Sequence, residues 1–403
     1  MIQALRGMKD IMGPESERFI YIVERASAVA KRYGYEYIET PLLEETSLFM
    51  RSVGESSDIV GKEMYRFTDK GGHDVSLRPE GTAGIVRAFI QNKLDRKGGV
   101  HRFYYHGPMF RYERPQKGRL REFHQFGCES FGEPSVYEDF NIILMIKDIF
   151  DALGIGHTIK INSLGCPECM PGYREKLITH LHDIQDGLCE DCNRRIETNP
   201  IRVLDCKNGE CRQILGRSPV IVENLCEECD RDFTRLQSLL DSHSIEYELD
   251  PKLVRGLDYY TRTAFEFVSG EIGAQSAIAG GGRYNRLVEF LGGKPTPAVG
   301  FALGIERIIE LVKLPESGRN GIYMGVMEPE ALDTVLKAAH RKRAEERVYV
   351  EYSARSLKAH LKAADRIGAR VCAVIGEDEL KNSQIWVKDL ETKEERRVGL
   401  EQF

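Results

Sequence analysis

Between Phe110 and Gly132 the chain reads FRYERPQKGRLREFHQFGCESFG, which sets Arg111, Arg114, Arg119 and Arg121, with Lys117 among them, between apolar and aromatic residues. A guanidinium is a planar fork that matches two oxygens of a phosphate or carboxylate, so arginines anchored on strands can hold a polyphosphate in one pose. A lysine, a point charge on a flexible stem, cannot do this equally well. The same spacing also reads as a charged hairpin with a solvated face, because Glu113, Glu122 and Glu129 offset part of the charge. Four other segments carry chemistry. In RPEGTAG, Glu80 stands where a strand meets a helix, able to bind a ligand ammonium or simply to favour the helix start. In VRGLDYYTRTAFEF, Arg255, Asp258, Tyr259 and Tyr260 can orient a small polar ligand, although tyrosines before a strand are often packing residues. The glycines of AGGGRYNRLVEFLGG permit close backbone approach or mark a bend. Arg307 interrupts the apolar run FALGIERIIELV, which reads as a long helix on which an arginine could also snorkel to solvent.

These residues need elements to hold them. The apolar PMF and FHQF on either side of Pro115–Gly118 read as two strands of an antiparallel hairpin. Helical spacing of Phe19, Ile22, Val23, Ala26 and Ala30 predicts a helix over 14–32, and further helices are expected over 82–91 and 137–153. YEYIETP, two segments between Met64 and Pro79, and HTIKINSL read as strands. Strands in hairpin order point to an antiparallel sheet, so the fold class expected is α+β: an antiparallel catalytic sheet with helices, a helical insertion and a C-terminal α/β domain. The domains expected are 1–319, with a Cys-rich helical module inserted at about 165–243, and 320–403, after the polar linker PESGRN.

At 403 residues, 41% hydrophobic and 30% charged, the chain has the composition of a soluble multidomain protein. Its formal net charge of -6 argues against coating nucleic acid through bulk charge while leaving room for local basic surfaces. Neither a signal-peptide pattern nor a membrane-length apolar stretch is evident, and a cytoplasmic location is expected. The ten cysteines are then thiols or metal ligands rather than disulfides. The C-x-x-C pairs Cys166/Cys169 and Cys189/Cys192 resemble a four-thiolate zinc site, and Cys206 with Cys211 and Cys226 with Cys229 could make a second.

Taken together the segments resemble histidyl-tRNA synthetase, a class II aminoacyl-tRNA synthetase family, over essentially the whole chain. FRYERPQKGRLREFHQFGCE resembles the family's motif 2, LVRGLDYYTRTAFEF its histidine-specific motif and GFALGIERI its motif 3. The resemblance implies an antiparallel sheet of six or more strands and a two-step reaction. Histidine and ATP, with Mg²⁺, give histidyl-adenylate and pyrophosphate, and the histidyl group then passes to the terminal ribose of tRNA(His). It also implies roles. Arg111 would hold the α-phosphate with Arg255 approaching from the other side, Glu113 and Phe123 the adenine, and Arg119 and Arg307 the outer phosphates. Glu80, Thr82 and Gln125 would hold the amino group of histidine, with Glu129, Tyr260 and Tyr284 around its imidazole. Expected tRNA contacts are Arg114, Gln116 and Lys117 near the acceptor end, and Arg355 and Lys358, with Lys362 and Arg366 at helix-like spacing, near the anticodon. A homodimer is the family pattern, and any zinc would be structural. The nearest rival is the non-catalytic, synthetase-like regulatory subunit of ATP phosphoribosyltransferase; the presence of Arg111, Glu113, Arg255 and Arg307 and of a C-terminal domain argues against it. A zinc-dependent nucleic-acid-binding module would explain the cysteines and leave the rest of the chain unused.

Overall fold

The structure is a computed structural model that describes residues 2–54, 59–116, 118–206, 208–275, 277–315 and 318–403. Lys117, expected to contact tRNA, lies outside the described residues. The chain divides into two compact units, Met1–Lys313 and Leu314–Phe403.

The larger unit is built on an eight-stranded sheet. Its order is Glu36–Tyr37, His101–Phe110, Glu122–Phe131, Ala298–Gly304, Ala277–Arg283, Thr261–Val268, Thr158–Ser163 and Glu248–Leu249. The six inner strands run antiparallel, and each two-residue edge strand pairs parallel with its neighbour. YEYIETP therefore yields far less strand than its alternation suggests. A three-stranded sheet of Leu43–Glu45, Asp74–Leu77 and Arg66–Thr68 leads into the helix Thr82–Gln91.

Helices Pro14–Arg32 and Val136–Leu153 contribute to the main core with the sheet. Both follow local rules. Pro14 opens the first with a preset φ and no N–H to leave unpaired. The second starts at Ser135, whose hydroxyl accepts the Tyr137 N–H at 3.2 Å, and ends at Gly154 in the left-handed region, φ 67°. Its buried face, Ile142, Ile143, Met145, Ile146, Ile149, Phe150 and Leu153, removes side chains from water that contribute about 1.5–3 kcal/mol apiece when fully buried.

FALGIERIIELV is not one long helix. Ala298–Gly304 is a strand and only Ile305–Ile309 is helical. That strand lies mid-sheet between Glu122–Phe131 and Ala277–Arg283, and all of its residues but Ala302 and Gly304, which are half-buried, are buried. A strand covered on both faces loses the alternation that separates strand from helix in sequence. AGGGRY is likewise strand, Ala277–Arg283, rather than a bend.

In the inserted segment three short helices, Met170–Asp183, Glu190–Thr198 and Gly209–Ile214, surround a small core in which cysteines stand beside Tyr173, Leu177, Leu181 and Ile196. The next helix, Glu227–Ser242, lays Phe233, Leu236, Leu239 and Leu240 in the core of the main sheet.

The smaller unit is a five-stranded sheet ordered Val348–Val350, Ile322–Val326, Val371–Ile375, Gln384–Asp389, Glu395–Gly399, parallel in its first three strands and antiparallel thereafter. Helices Leu332–Lys342 and Leu357–Arg366 bring apolar residues to separate cores with it. Arg355 precedes the second helix and pairs with Glu351 at 3.1 Å, so it does not share a helical face with Lys358, Lys362 and Arg366. Arg355 and Lys358 are both exposed.

Candidate active site

The expected hairpin is present, paired in continuous register from His101 opposite Phe131 to Phe110 opposite Glu122. On its second strand the period of two puts Phe123, Gln125, Gly127 and Glu129 on one face. Gly127 is required there: a Cβ would meet the Tyr105 hydroxyl at 2.5 Å. Its absence lets that hydroxyl donate to Glu129 at 3.3 Å.

A cavity of about 250 Å³ opens over this face, lined by Glu80, Thr82, Arg111, Glu113, Arg119, Phe123, Gln125, Arg255, Tyr260, Glu266 and Arg307 among others. A second space of about 610 Å³ shares Arg111, Arg119, Arg255 and Arg307 and extends to Asp205 and Arg212 of the insert. The four arginines thus stand where the two join, and the combined space reaches the range of small-molecule and cofactor sites.

Each arginine is held in place. Arg111 donates Nε to the Pro79 carbonyl at 2.9 Å and lies over the Phe123 ring at 5.2 Å. Arg119 faces Glu113 at 3.2 Å. Arg307 donates to the carbonyls of Gly118 at 3.2 Å and Ala277 at 2.6 Å; it starts from a short helix after a strand, and it is not a snorkelling side chain. Arg255 contacts Glu266 at 3.2 Å and lies over Tyr260 at 5.6 Å. The glycine run explains how Arg255 fits, since a Cβ at Gly280 would come within 2.3 Å of its Nη1.

At the other end Glu80 accepts the N–H groups of Thr82 at 2.6 Å and Ala83 at 2.9 Å, which fulfils its helix-start reading. Burial holds its carboxyl above the usual range. Glu129 and Tyr284 do not line the cavity. They form a layer behind it, where Glu129 accepts from Thr82 Oγ1 at 2.7 Å and from the Tyr284 hydroxyl. Burial pushes the Glu129 carboxyl up to about 8, against the opposing effect of those hydroxyl donors. Gln125 Oε1 and Arg255 Nε are buried with no hydrogen-bond partner among the described residues. Buried polar atoms are ordinarily paired, so these two mark a place for a polar ligand.

Arg114 and Gln116 are exposed on the hairpin loop, away from the cavity lining. Three contributors escaped the sequence reading: Tyr105, Glu266 and Glu306, the last accepting the His124 backbone N–H at 2.9 Å and so tying motif 2 to the helix Ile305–Ile309. Among these, only the aromatic alternation in HRFYYHG gave a signal, for Tyr105.

The cysteines group differently from their order in sequence. Cys166, Cys169, Cys226 and Cys229 form one cluster, and Cys189, Cys192, Cys206 and Cys211 the other, with all Sγ atoms of a cluster within 4.8 Å of one another. The expected partnership of Cys166/Cys169 with Cys189/Cys192 is therefore wrong. The start and end of the insert fold side by side, and the inner pairs meet each other.

Comparison with known proteins agrees with the geometry. The family model described as Histidyl-tRNA synthetase matches residues 7–171 and 208–308, and that described as Anticodon binding domain matches residues 322–403. The Histidine--tRNA ligase of Sulfurovum sp. (strain NBC37-1) is 65% identical over 400 residues, covering 99% of each chain. That of Sulfurimonas denitrificans is 62% identical over 403 residues, covering 100% of each. The crystal structure of the apo histidyl-tRNA synthetase of S. aureus superposes with a TM-score of 0.83 at 34% identity, covering 100% of this chain and 98% of that one. Arginines converging on a cavity backed by a buried carboxylate, in a chain similar to these proteins from end to end, mean that it belongs to the histidyl-tRNA synthetase family.

Proposed function

We propose that the chain is a histidine–tRNA ligase, which activates histidine with ATP and transfers it to tRNA(His). The observation that carries this reading is the convergence of Arg111, Arg119, Arg255 and Arg307 with the unpartnered Gln125 Oε1 in one cavity. Attack of a carboxylate on the α-phosphorus needs no strong general base, so positioning and charge neutralisation supply the acceleration. Arg111, just after the strand His101–Phe110, and Arg255, on the loop before Thr261–Val268, both reach the cavity and act on the α-phosphate and the attacking carboxylate. Arg119 and Arg307 take the outer phosphates, and Phe123 and Glu113 the adenine. Glu266, on the cavity wall, would offer the hard oxygen ligand that Mg²⁺ prefers beside substrate phosphates, where the ion would neutralise phosphate charge.

Glu80, Thr82 and Gln125 receive the ammonium end of histidine, and Tyr260, with Glu129 and Tyr284 behind, pairs the imidazole nitrogens. A site built to hydrogen-bond both nitrogens rejects analogues that lack them, because its own buried groups are then left unpaired. The regulatory-subunit reading leaves the four-arginine convergence without a use. Arg114, Gln116 and Lys117 are assigned to the acceptor end of tRNA, Arg355 and Lys358 to the anticodon side, and the working form is a cytoplasmic homodimer carrying structural zinc. Among the described residues no helix is long and apolar enough to cross a membrane. Charging of tRNA(His) transcript with labelled histidine tests the reading; a folded chain that binds ATP and histidine yet charges no tRNA would overturn it.

The layer behind the cavity gives a pH prediction. Folding raises the Glu129 carboxyl from 4.5 to about 8. The folded state thus holds a proton the unfolded state releases, so this group's stabilisation is full below about 4.5 and is lost as pH rises through about 8. Glu129→Gln cannot ionise. Its Tm relative to the parent protein is expected to rise with pH from about 5 and to level off above about 8, and a difference independent of pH would refute the assignment.

A further inference from the structure

We infer that the insert carries two Zn²⁺ ions in crossed four-thiolate centres, and that the centre on Cys189, Cys192, Cys206 and Cys211 holds in position the loop that carries Arg255. The metal part rests on distances. Zinc bound to four thiolates at about 2.3 Å in a tetrahedron separates the sulfurs by about 3.8 Å. The Sγ separations here are 3.7 Å for Cys166–Cys169, 3.8 Å for Cys166–Cys226 and 3.9 Å for Cys189–Cys206. A disulfide would require about 2.05 Å, and all these cysteines are free. Each cluster also receives a backbone N–H on sulfur, Cys226 N to Cys169 Sγ and Cys189 N to Cys211 Sγ, both at 3.2 Å. Such donors favour the thiolate that a metal needs. The insert has short helices and a core in which thiols take the place of larger apolar side chains. Modules of this kind are held by metal or cross-links.

The two centres have different mechanical positions. Cys166/Cys169 and Cys226/Cys229 lie at the two ends of the insert, so their metal closes it at its root. There Gly165 accepts the Arg262 N–H at 2.6 Å, and Arg262 pairs with Asp232 of the helix Glu227–Ser242 at 2.6 Å. The other centre lies farther along the insert, and the segment between its C-x-x-C pair and Cys206 makes the connection to the active site. Asn199 donates to Asp258 at 3.0 Å, and Arg202 donates Nη1 to the carbonyl of Arg255 at 2.7 Å. These two bonds span a cavity of about 490 Å³ between the insert and residues 254–261. A metal that fixes Cys192 and Cys206 fixes both ends of the stretch that bears Asn199 and Arg202. Arg202 is therefore a positioning residue, acting through Arg255.

The second half of this inference rests on the histidine-activating reading, whereas the metal count does not. Full-length protein purified without added zinc is expected to contain two zinc ions per chain by elemental analysis; a zinc-free protein with freely titratable thiols overturns the inference. Cys189→Ser/Cys206→Ser is expected to retain one ion, since both changes fall in one centre. Under pairing in sequence order it would strike both centres and retain none, which overturns the crossed arrangement. Should that variant aggregate, Cys166→Ser/Cys226→Ser poses the same choice at the other centre: one ion retained if the centres are crossed, none if they follow sequence order.

Arg202→Ala should keep both ions yet lower kcat for ATP–pyrophosphate exchange about tenfold with the KM for histidine little changed, the same split expected of Arg255 itself. An unchanged kcat overturns the positioning role. Two zinc ions in a chain that performs no exchange would sink the functional reading alone, and exchange in a zinc-free chain would sink the metal inference alone.

Discussion

Arg255→Ala is expected to lower histidine-dependent ATP–pyrophosphate exchange by about 10³-fold, chiefly in kcat. Removing one preorganised donor from a developing charge typically costs 10²–10³ in rate, and Arg255 offers a fork aimed at two partners. It is held against Glu266 at 3.2 Å, with its Nε buried and unpartnered among the described residues. Arg255→Lys restores the charge without the fork and should recover only a small part of the loss. A KM effect on ATP with unchanged kcat would mean that Arg255 binds ground-state substrate instead. Gly280→Ala offers a second route to the same end, because its Cβ would displace the guanidinium without changing its chemistry.

The other large effect concerns stability. Asp139→Ala is expected to destabilise the larger unit by about 3–5 kcal/mol, the cost of leaving a buried charge without its partner. Arg283 and Asp139 are 2% and 0% exposed, and Arg283 also donates to the carbonyls of Glu133 at 2.9 Å and Ser135 at 2.8 Å. The pair pins the end of the strand Ala277–Arg283 to the start of the helix Val136–Leu153, one residue from Tyr284 and its bond to Glu129. Asp139→Leu/Arg283→Met removes both charges together and should lose less than Asp139→Ala. Urea unfolding measures this, and a double variant weaker than the single one would contradict the account.

How much of this was legible in sequence depended on how local the cause was. The helix over 14–32 and the motif 2 hairpin are written in nearby residues: a proline at a helix start, apolar periodicity, and turn residues between strands. The strand Ala298–Gly304 was not legible, because full burial erased its alternation and Ile305–Ile309 continued the same apolar run. The eight clustered cysteines could be named from their close pairing in sequence, but the partnership of the pairs could not, since sequence order is silent on which ends of an insert meet. Glu129 and Tyr284 were expected around a ligand, and geometry sets them one layer back, with Thr82 between Glu129 and the cavity. Glu266 and Glu306 were missed because nothing near them in sequence marks their partners. Arg255 is 11 residues from Glu266, and His124 is 182 from Glu306.

The central claim is that the arginine-lined cavity makes histidyl-adenylate. Exchange of labelled pyrophosphate into ATP by the full-length chain, with Mg²⁺ and each amino acid in turn, tests it most directly. The account predicts exchange with histidine and none above background with the others. Histidine binding to the folded chain without any exchange would contradict it.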